Sequence, residues 1–184
     1  MPLLGPDRPL PHPPRRVLVA GTSGSGKSTL ARRVAAALDA PYVEIDALFH
    51  GSGWTRRPEF EADVERFTAQ ERWVTEWQYP DVRPLLLERA DLLVWLDLPR
   101  ATVMRQLTAR TIRRRLRREH LWNGNVEPPL RTFWTDPDHI VRWGWRTHHE
   151  TAYRVRSALT QRPDLAVVRL RSHADGDRWV DALR

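Results

Sequence analysis

The sequence predicts an α/β fold in three layers, an open parallel sheet with helices on both faces. Two observations carry that expectation. From about Arg15 onward, short apolar runs alternate with stretches whose apolar residues recur every three or four positions, as expected when parallel strands are joined by crossover helices. The first such run, Val17-Leu18-Val19-Ala20, ends in a glycine-rich turn that opens a helix.

Ahead of that strand, residues 1–14 hold Pro2, Pro6, Pro9, Pro11, Pro13 and Pro14 and few groups able to join a core, so a disordered tail is expected there. After the glycines, Leu30, Val34 and Leu38 mark one helical face, with Arg32 and Arg33 on the other. Tyr42 to Ile45 reads as the second strand, and Phe60, Val64 and Phe67 as a helix starting near Pro58. Trp73 to Trp77 is the third strand, Pro80 to Arg89 a short helix, and Leu92 to Leu98 the most apolar strand. A long helix runs from Arg100 to about Arg118. Past an irregular stretch, Val141, Trp145, His148, Ala152, Val155 and Leu159 form one helical stripe. Leu165 to Leu170 is the last strand and Asp177 to Arg184 the last helix. One domain over 15–184 is expected, with a mobile lid over about 110–138.

Composition narrows the function. The chain has 184 residues, 41% of them hydrophobic, which is enough for a single core. No apolar run approaches the roughly 20 residues that span a bilayer, so a cytoplasmic protein without membrane contact is expected. The absence of cysteine excludes disulfides, thiolate nucleophiles and thiolate zinc sites. Net charge is +7, and among the 30 basic residues Lys27 is the sole lysine. A lysine kept at one place in an arginine-rich chain suggests a compact ammonium that must fit where a planar guanidinium would not.

That lysine closes the segment Gly21-Thr22-Ser23-Gly24-Ser25-Gly26-Lys27-Ser28, which fits G-x-x-x-x-G-K-[ST] at every fixed position. The segment follows a strand and opens a helix, the context that a phosphate-binding P-loop requires. Glycines let the backbone wrap round phosphates, and the free N–H groups and dipole of the helix start attract them. Lys27 would reach the terminal phosphates, Ser28 would ligate magnesium, and Thr29 completes the turn.

Two carboxylates, Asp46 and Asp97, stand at carboxyl ends of expected strands, the edge where open α/β sheets bind ligands. Asp97 suits a carboxylate that orders magnesium, and Asp46 one that accepts the proton of an acceptor hydroxyl; Glu76, ending the third strand, is a second candidate for that role. Helix capping is the alternative use of strand-end carboxylates. Arg105, Arg110, Arg113, Arg114, Arg115, Arg117 and Arg118 crowd one helix, a density of like charge that a polyanion would relieve. The bland alternative is a solvated basic face. Trp122-Asn123-Gly124-Asn125 and the tryptophans beyond it suit a lid over a ligand, with asparagine amides available to it, or plain packing on the sheet. His139, His148 and His149 do not form a metal-binding spacing, and His148 lies on the apolar stripe.

In this order, strand, P-loop, Asp46, arginine helix and lid resemble the adenylate-kinase-like P-loop kinases. Within them the chain looks most like the small topology-modulation (FlaR-related) P-loop kinases. The shared pieces are Gly21 to Thr29, Ile45-Asp46-Ala47-Leu48-Phe49 with Trp54, Trp73 to Tyr79, Glu88 to Asp91, Leu96-Asp97-Leu98-Pro99 and the arginine helix. The resemblance implies a P-loop NTPase fold with a five-stranded sheet in the order 2-3-1-4-5 and Mg-ATP on Lys27 and Ser28. It implies that Asp46 faces the acceptor beside Trp54, Trp77, Tyr79, Asn123 and Asn125. Arginines between Arg110 and Arg118, Arg114 among them, would meet the phosphates, and Arg110 or Arg114 with the loop near Arg171 to His173 would make part of the adenine pocket. The family's third strand ends in an acid followed by Gly-Asn-Tyr; here it reads Glu76-Trp77-Gln78-Tyr79, and Trp77 would narrow the acceptor pocket.

The expected activity is ATP-dependent phosphoryl transfer to a small acceptor, with ATP and Mg2+ as cofactors and a monomer or homodimer as the working form. A nucleic-acid-linked P-loop ATPase or polynucleotide kinase is the rival, and a nucleotide sensor without turnover the third reading. Charge placement separates the first two, since kinase arginines should converge on the nucleotide cleft and backbone binders should form a stripe leading away from it.

Overall fold

The computed structural model describes residues 3–129, 132–136 and 139–183. Its sheet is parallel throughout and has six strands: β1 (Leu3–Leu4), β2 (Arg16–Gly21), β3 (Tyr42–Val43), β4 (Trp73–Glu76), β5 (Leu92–Leu96) and β6 (Ala166–Leu170), in the order β1-β6-β5-β2-β4-β3. Leaving β1 aside, the other strands follow the expected 2-3-1-4-5 arrangement. The central strand β2 pairs Val17 with Val74 on one side and with Leu92 on the other.

The sixth strand corrects the expectation of a disordered tail for the described part of 1–14. Leu3 and Leu4 pair with Val167 and Val168, and Leu4 and Leu10 pack on the core. Free edge groups of β6 and two leucines outweigh the proline content, which only keeps the segment from forming anything longer.

Period-two alternation sends the sheet's side chains to two cores. On one face Val17, Val19, Val94 and Leu96 meet Leu30, Val34 and Trp179 from α1 (Lys27–Leu38) and a C-terminal helix (His173–Asp181). On the other, Leu18, Leu93 and Trp95 meet Phe60, Leu86 and Val155. These come in turn from α3 (Phe60–Thr68), α4 (Arg83–Arg89) and α8 (Glu150–Gln161). Complete burial of a side chain such as Phe60 contributes about 1.5–3 kcal/mol.

Several boundaries differ from expectation for local reasons. The chain leaves β3 after Val43, and Asp46 lies in the first turn of a short helix, α2 (Ile45–Phe49), instead of ending a strand. The long helix α5 spans Arg100–Arg117, and its backbone reverses at Arg118 (φ 48°). Next come α6 (Thr132–Thr135) and α7 (Ile140–Thr147), with a break at His148 and His149 that splits the single expected stripe into α7 and α8. The last helix, α9 (His173–Asp181), starts earlier than expected because Ser172 and Asp175 form a reciprocal capping box. Parts of the expected lid, residues 130–131 and 137–138, lie outside the described residues.

Candidate active site

Every crossover leaves a loop at the carboxyl edge of the sheet, and these loops enclose a cleft of about 1430 Å³. Its floor is the P-loop. Gly24 and Gly26 take φ of +85° and +92°, a conformation that glycine adopts at little cost. A Cβ at Gly24 would stand 2.6 Å from the Cβ of Leu107, so the missing side chain also lets α5 approach the loop. The first bond of α1 runs from Leu30 N–H to the Gly26 carbonyl at 3.0 Å. It leaves the N–H groups of Lys27, Ser28 and Thr29 without backbone acceptors among the described residues, the anion-binding property of a helix start.

Lys27 is buried, 8% exposed, and no hydrogen bond or ion pair is formed by its ammonium among the described residues. Burial lowers its pKa, the carboxylates of Asp46 and Glu76 oppose that shift, and Arg110 adds to it. A loop of positive-φ glycines and free N–H groups beside a buried, unpaired cation fits a polyphosphate. Ser28 lines the cleft and could ligate a cation bound to it. No cluster of three or more acidic or histidine side chains able to hold a metal by themselves occurs among the described residues, so a magnesium ion would depend on phosphate oxygens for most of its ligands.

Asp46 lies across the cleft from this floor. Its Oδ1 accepts hydrogen bonds from Gln78 Nε2 at 3.0 Å and from the Tyr79 hydroxyl at 2.5 Å, while Oδ2 has no protein donor among the described residues. The Tyr79 hydroxyl also lies 3.2 Å from His50 Nε2, which makes a file of His50, Tyr79 and Asp46. Desolvation, and then the Asp46 charge, raise the Tyr79 pKa, so the phenol stays a donor. Tyr79 stacks on Phe49 with centroids 3.9 Å apart, and Trp54, Trp77 and Trp122 extend the aromatic wall.

Above the cleft, α5 contributes Arg110, Arg113 and Arg114. Burial, then the neighbouring charge of Arg114, lowers the Arg110 pKa, and its Nε is buried without a partner. Glu127, itself buried, pairs with Arg114 at 3.5 Å and ties the following loop to the helix.

Other expected site residues are placed elsewhere. Glu76 is fully buried behind the cleft wall, accepting from the Tyr42 hydroxyl at 2.8 Å and from Ile45 N–H at 3.4 Å, so its charge reaches Lys27 but its oxygens do not face an acceptor. Asp97 is turned away from the cleft, as strand alternation puts it on the side of Trp95, and it pairs with Arg169 instead of ordering a metal (Arg169 Nε to Oδ2, 2.7 Å). Arg118 is an exposed helix cap and Arg171 is exposed, whereas the neighbouring Ser172 and His173 line the cleft. The amides of Asn123 and Asn125 serve the protein. Asn125 accepts from Trp54 N–H at 2.9 Å and donates to the carbonyls of Gly51 (2.8 Å) and Trp122 (2.7 Å), and Asn123 donates to the His50 carbonyl. Together they join two tight turns, Ser52–Trp54 and Trp122–Gly124. Sequence reasoning did not assign His50, Gln78, Arg83, Glu127, His139 and Arg154 to the site; Gln78 lies within the Glu76 to Tyr79 motif, and the others reach the cleft only through the loops and helices that hold them.

The segment that holds the P-loop also matches a known protein family. The ATPase family associated with various cellular activities (AAA) matches residues 17–67, from β2 through the P-loop to α3. No curated protein sequence matches closely enough to count as a relative. Among solved structures, a gluconokinase from Sinorhizobium meliloti 1021 aligns over 94% of this chain and 93% of its own, at 20% identity and a TM-score of 0.53. A shikimate kinase from Aquifex aeolicus vf5 aligns over 91% and 92%, at 12% identity and a TM-score of 0.49. At 20% identity the likeness to the gluconokinase establishes the fold alone and leaves the chemistry to the site.

Proposed function

We propose that the chain is an ATP-dependent kinase that transfers the γ-phosphoryl group to a small-molecule acceptor. The observation that carries this reading is the meeting of Lys27, Asp46 and Arg110 in one cleft, a cationic phosphate floor facing a carboxylate with a free oxygen. Lys27, Gly21 to Thr29 and the α1 N–H groups would hold the triphosphate, and magnesium, ligated in part by Ser28, would neutralise charge on its oxygens. Asp46 Oδ2 would take the proton of an acceptor hydroxyl as that oxygen bonds to the γ-phosphorus. The bond from phosphorus to the β,γ-bridging oxygen breaks, ADP leaves, and the proton passes to solvent. Arg110 and Arg114 would stabilise the transferred group, an effect worth about 10³–10⁵ in rate in related chemistry. Gln106, His173 and Gly176 border the P-loop side of the cleft and suit the base, His173 being the part of the expected loop near Arg171 to His173 that lines the cleft.

Charge placement favours this reading over the nucleic-acid-linked one. Arg32, Arg33, Arg83, Arg110, Arg113 and Arg114 all line the same cleft. Assignment to the topology-modulation kinases is part of the proposal and rests on Ile45 to Phe49 and on Glu76 with Tyr79.

The test is transfer from γ-labelled Mg-ATP to a panel of nucleosides, nucleotides, hydroxylated metabolites and oligonucleotides, scored beside hydrolysis without acceptor. A labelled small product is the expected result. Hydrolysis that appears only with DNA or RNA would replace the proposal with the nucleic-acid-linked ATPase.

A further inference from the structure

The acceptor end of the cleft carries two arginines that the transfer chemistry does not use. Arg83 is the first residue of α4, and Arg154 lies on α8; both line the cleft. Arg83 belongs to the Asp46 side, because it follows the segment whose Gln78 and Tyr79 hold that carboxylate. The Trp77 indole fixes it there through a 3.2 Å hydrogen bond to the Arg83 carbonyl.

The guanidinium of Arg83 is half-buried, yet it forms no hydrogen bond or ion pair among the described residues. Nearby carboxylates are engaged with other partners: Asp81 pairs with Arg56 at 3.1 Å, and Glu150 with Arg154. Desolvation and then the Arg154 charge lower the Arg83 pKa, and the charges of Glu150 and Asp81 oppose them without cancelling them, so the folded protein holds a partly desolvated cation near a second one at a cost. An anion between them would remove that cost. Thr147, Thr151 and Trp143 border the same space and supply hydroxyls and an aromatic wall to a polyhydroxylated body.

We propose that Arg83 and Arg154 form an anion subsite, so that the acceptor carries a carboxylate or a phosphate group besides the hydroxyl it presents to Asp46. This rests on the kinase reading of the cleft and narrows it: plain sugars and nucleosides are poor acceptors, and their anionic counterparts are good ones.

The experiment keeps the two readings apart. The P-loop is filled with magnesium and a non-hydrolysable ATP analogue, and glucose, gluconate and glucose 6-phosphate are titrated while tryptophan fluorescence is followed. One of the two anions is expected to bind at least about tenfold tighter than glucose, and which one does so separates a carboxylate acceptor from a phosphate acceptor. In Arg83→Gln that preference should vanish while affinity for the nucleotide analogue stays as it was; Arg83→Lys should keep part of it. Arg154→Gln gives the same comparison should Arg83→Gln fail to fold. Equal binding of the three sugars, or a preference that survives in both glutamine variants, overturns the subsite. Labelled transfer to neutral sugars as efficient as to anionic ones would discard the subsite and keep the kinase. Arginine-dependent anion binding with no transfer to any acceptor would discard the kinase and keep the subsite.

Discussion

The Tyr79 hydroxyl donates to Asp46 Oδ1 at 2.5 Å, and that bond decides which oxygen of Asp46 is free to act. Gln78 donates to the same oxygen, so both protein donors point Oδ2 toward incoming ligand. Tyr79 holds this position at φ +59°, which a residue with a Cβ adopts only when its surroundings insist, and its stacking on Phe49 supplies the insistence. Tyr79→Phe should therefore keep the ring in place and leave the carboxylate held by Gln78 alone. Turnover is expected to fall by about tenfold with little change in nucleotide affinity, since one neutral-to-charged hydrogen bond is worth about 1.5–3 kcal/mol at most. Steady-state kinetics beside nucleotide titration reads both quantities, and unchanged turnover would remove Tyr79 from the positioning of Asp46.

Asp46→Asn tests the base itself. The amide keeps the shape and can still accept from Tyr79, but it cannot take a proton. A loss of about 10²–10⁴ in kcat is expected, with Mg-ATP affinity nearly intact. If kcat and nucleotide affinity fall together by the same factor, Asp46 serves the metal or the fold instead.

Lys27→Met separates function from stability. The buried ammonium has no ion-pair partner among the described residues, and its pKa is lowered by burial. Replacing it with an apolar side chain of similar length should stabilise the nucleotide-free protein by on the order of 1 kcal/mol. Mg-ATP at a hundred times its dissociation constant should stabilise the wild type by about 2.7 kcal/mol and the variant hardly at all. Thermal unfolding with and without nucleotide measures both effects. A less stable variant would mean that Asp46 and Glu76 compensate the charge fully.

Much of this was legible in the sequence, for identifiable reasons. The P-loop is continuous in the chain, and its glycines, lysine and serine sit where local geometry alone requires them. The apolar runs of β2, β5 and β6 are long enough to declare buried strands, whereas their order came only with the family resemblance. Asp97 misled because strand-end position says nothing of which face a side chain takes, and a partner 72 residues away, Arg169, captures it. Asn123 and Asn125 misled because an amide in an irregular loop looks available until the second turn that it clamps is seen. Arg83 and Arg154 were invisible in an arginine-rich chain, where only the cleft distinguishes them from solvated neighbours.

Asp97→Asn turns that correction into a measurement. If Asp97 ordered magnesium, its loss would raise the magnesium requirement of nucleotide binding. Its pairing with Arg169, both partners only partly buried, predicts a different outcome. Magnesium dependence should be unchanged, and stability should fall by no more than about 1 kcal/mol. A shift in the magnesium titration would restore the metal role.

His50 gives the cleft a pH dependence of definite sign. Burial lowers its pKa below the ordinary 6.5, against the opposing pull of Asp46, and its Nδ1 is buried without a partner. Above pH 6.5 the imidazole is neutral in both folded and unfolded chains and adds no slope. As pH falls below that value the unfolded chain takes up the proton first, so stability declines until the folded pKa is passed and the full difference has been lost. The decline precedes any contribution from Asp164, whose hydrogen bond with Arg162 holds its pKa at about 2. Denaturant midpoints at several values between about pH 5 and 8 should therefore slope downward toward acid in the wild type and be flatter in His50→Gln. Protonation would also place a cation beside Tyr79 and weaken the file that orients Asp46, so turnover of the wild type should fall over the same interval. An identical slope in the glutamine variant would assign the acid sensitivity to other groups and leave His50 a packing residue under Trp122.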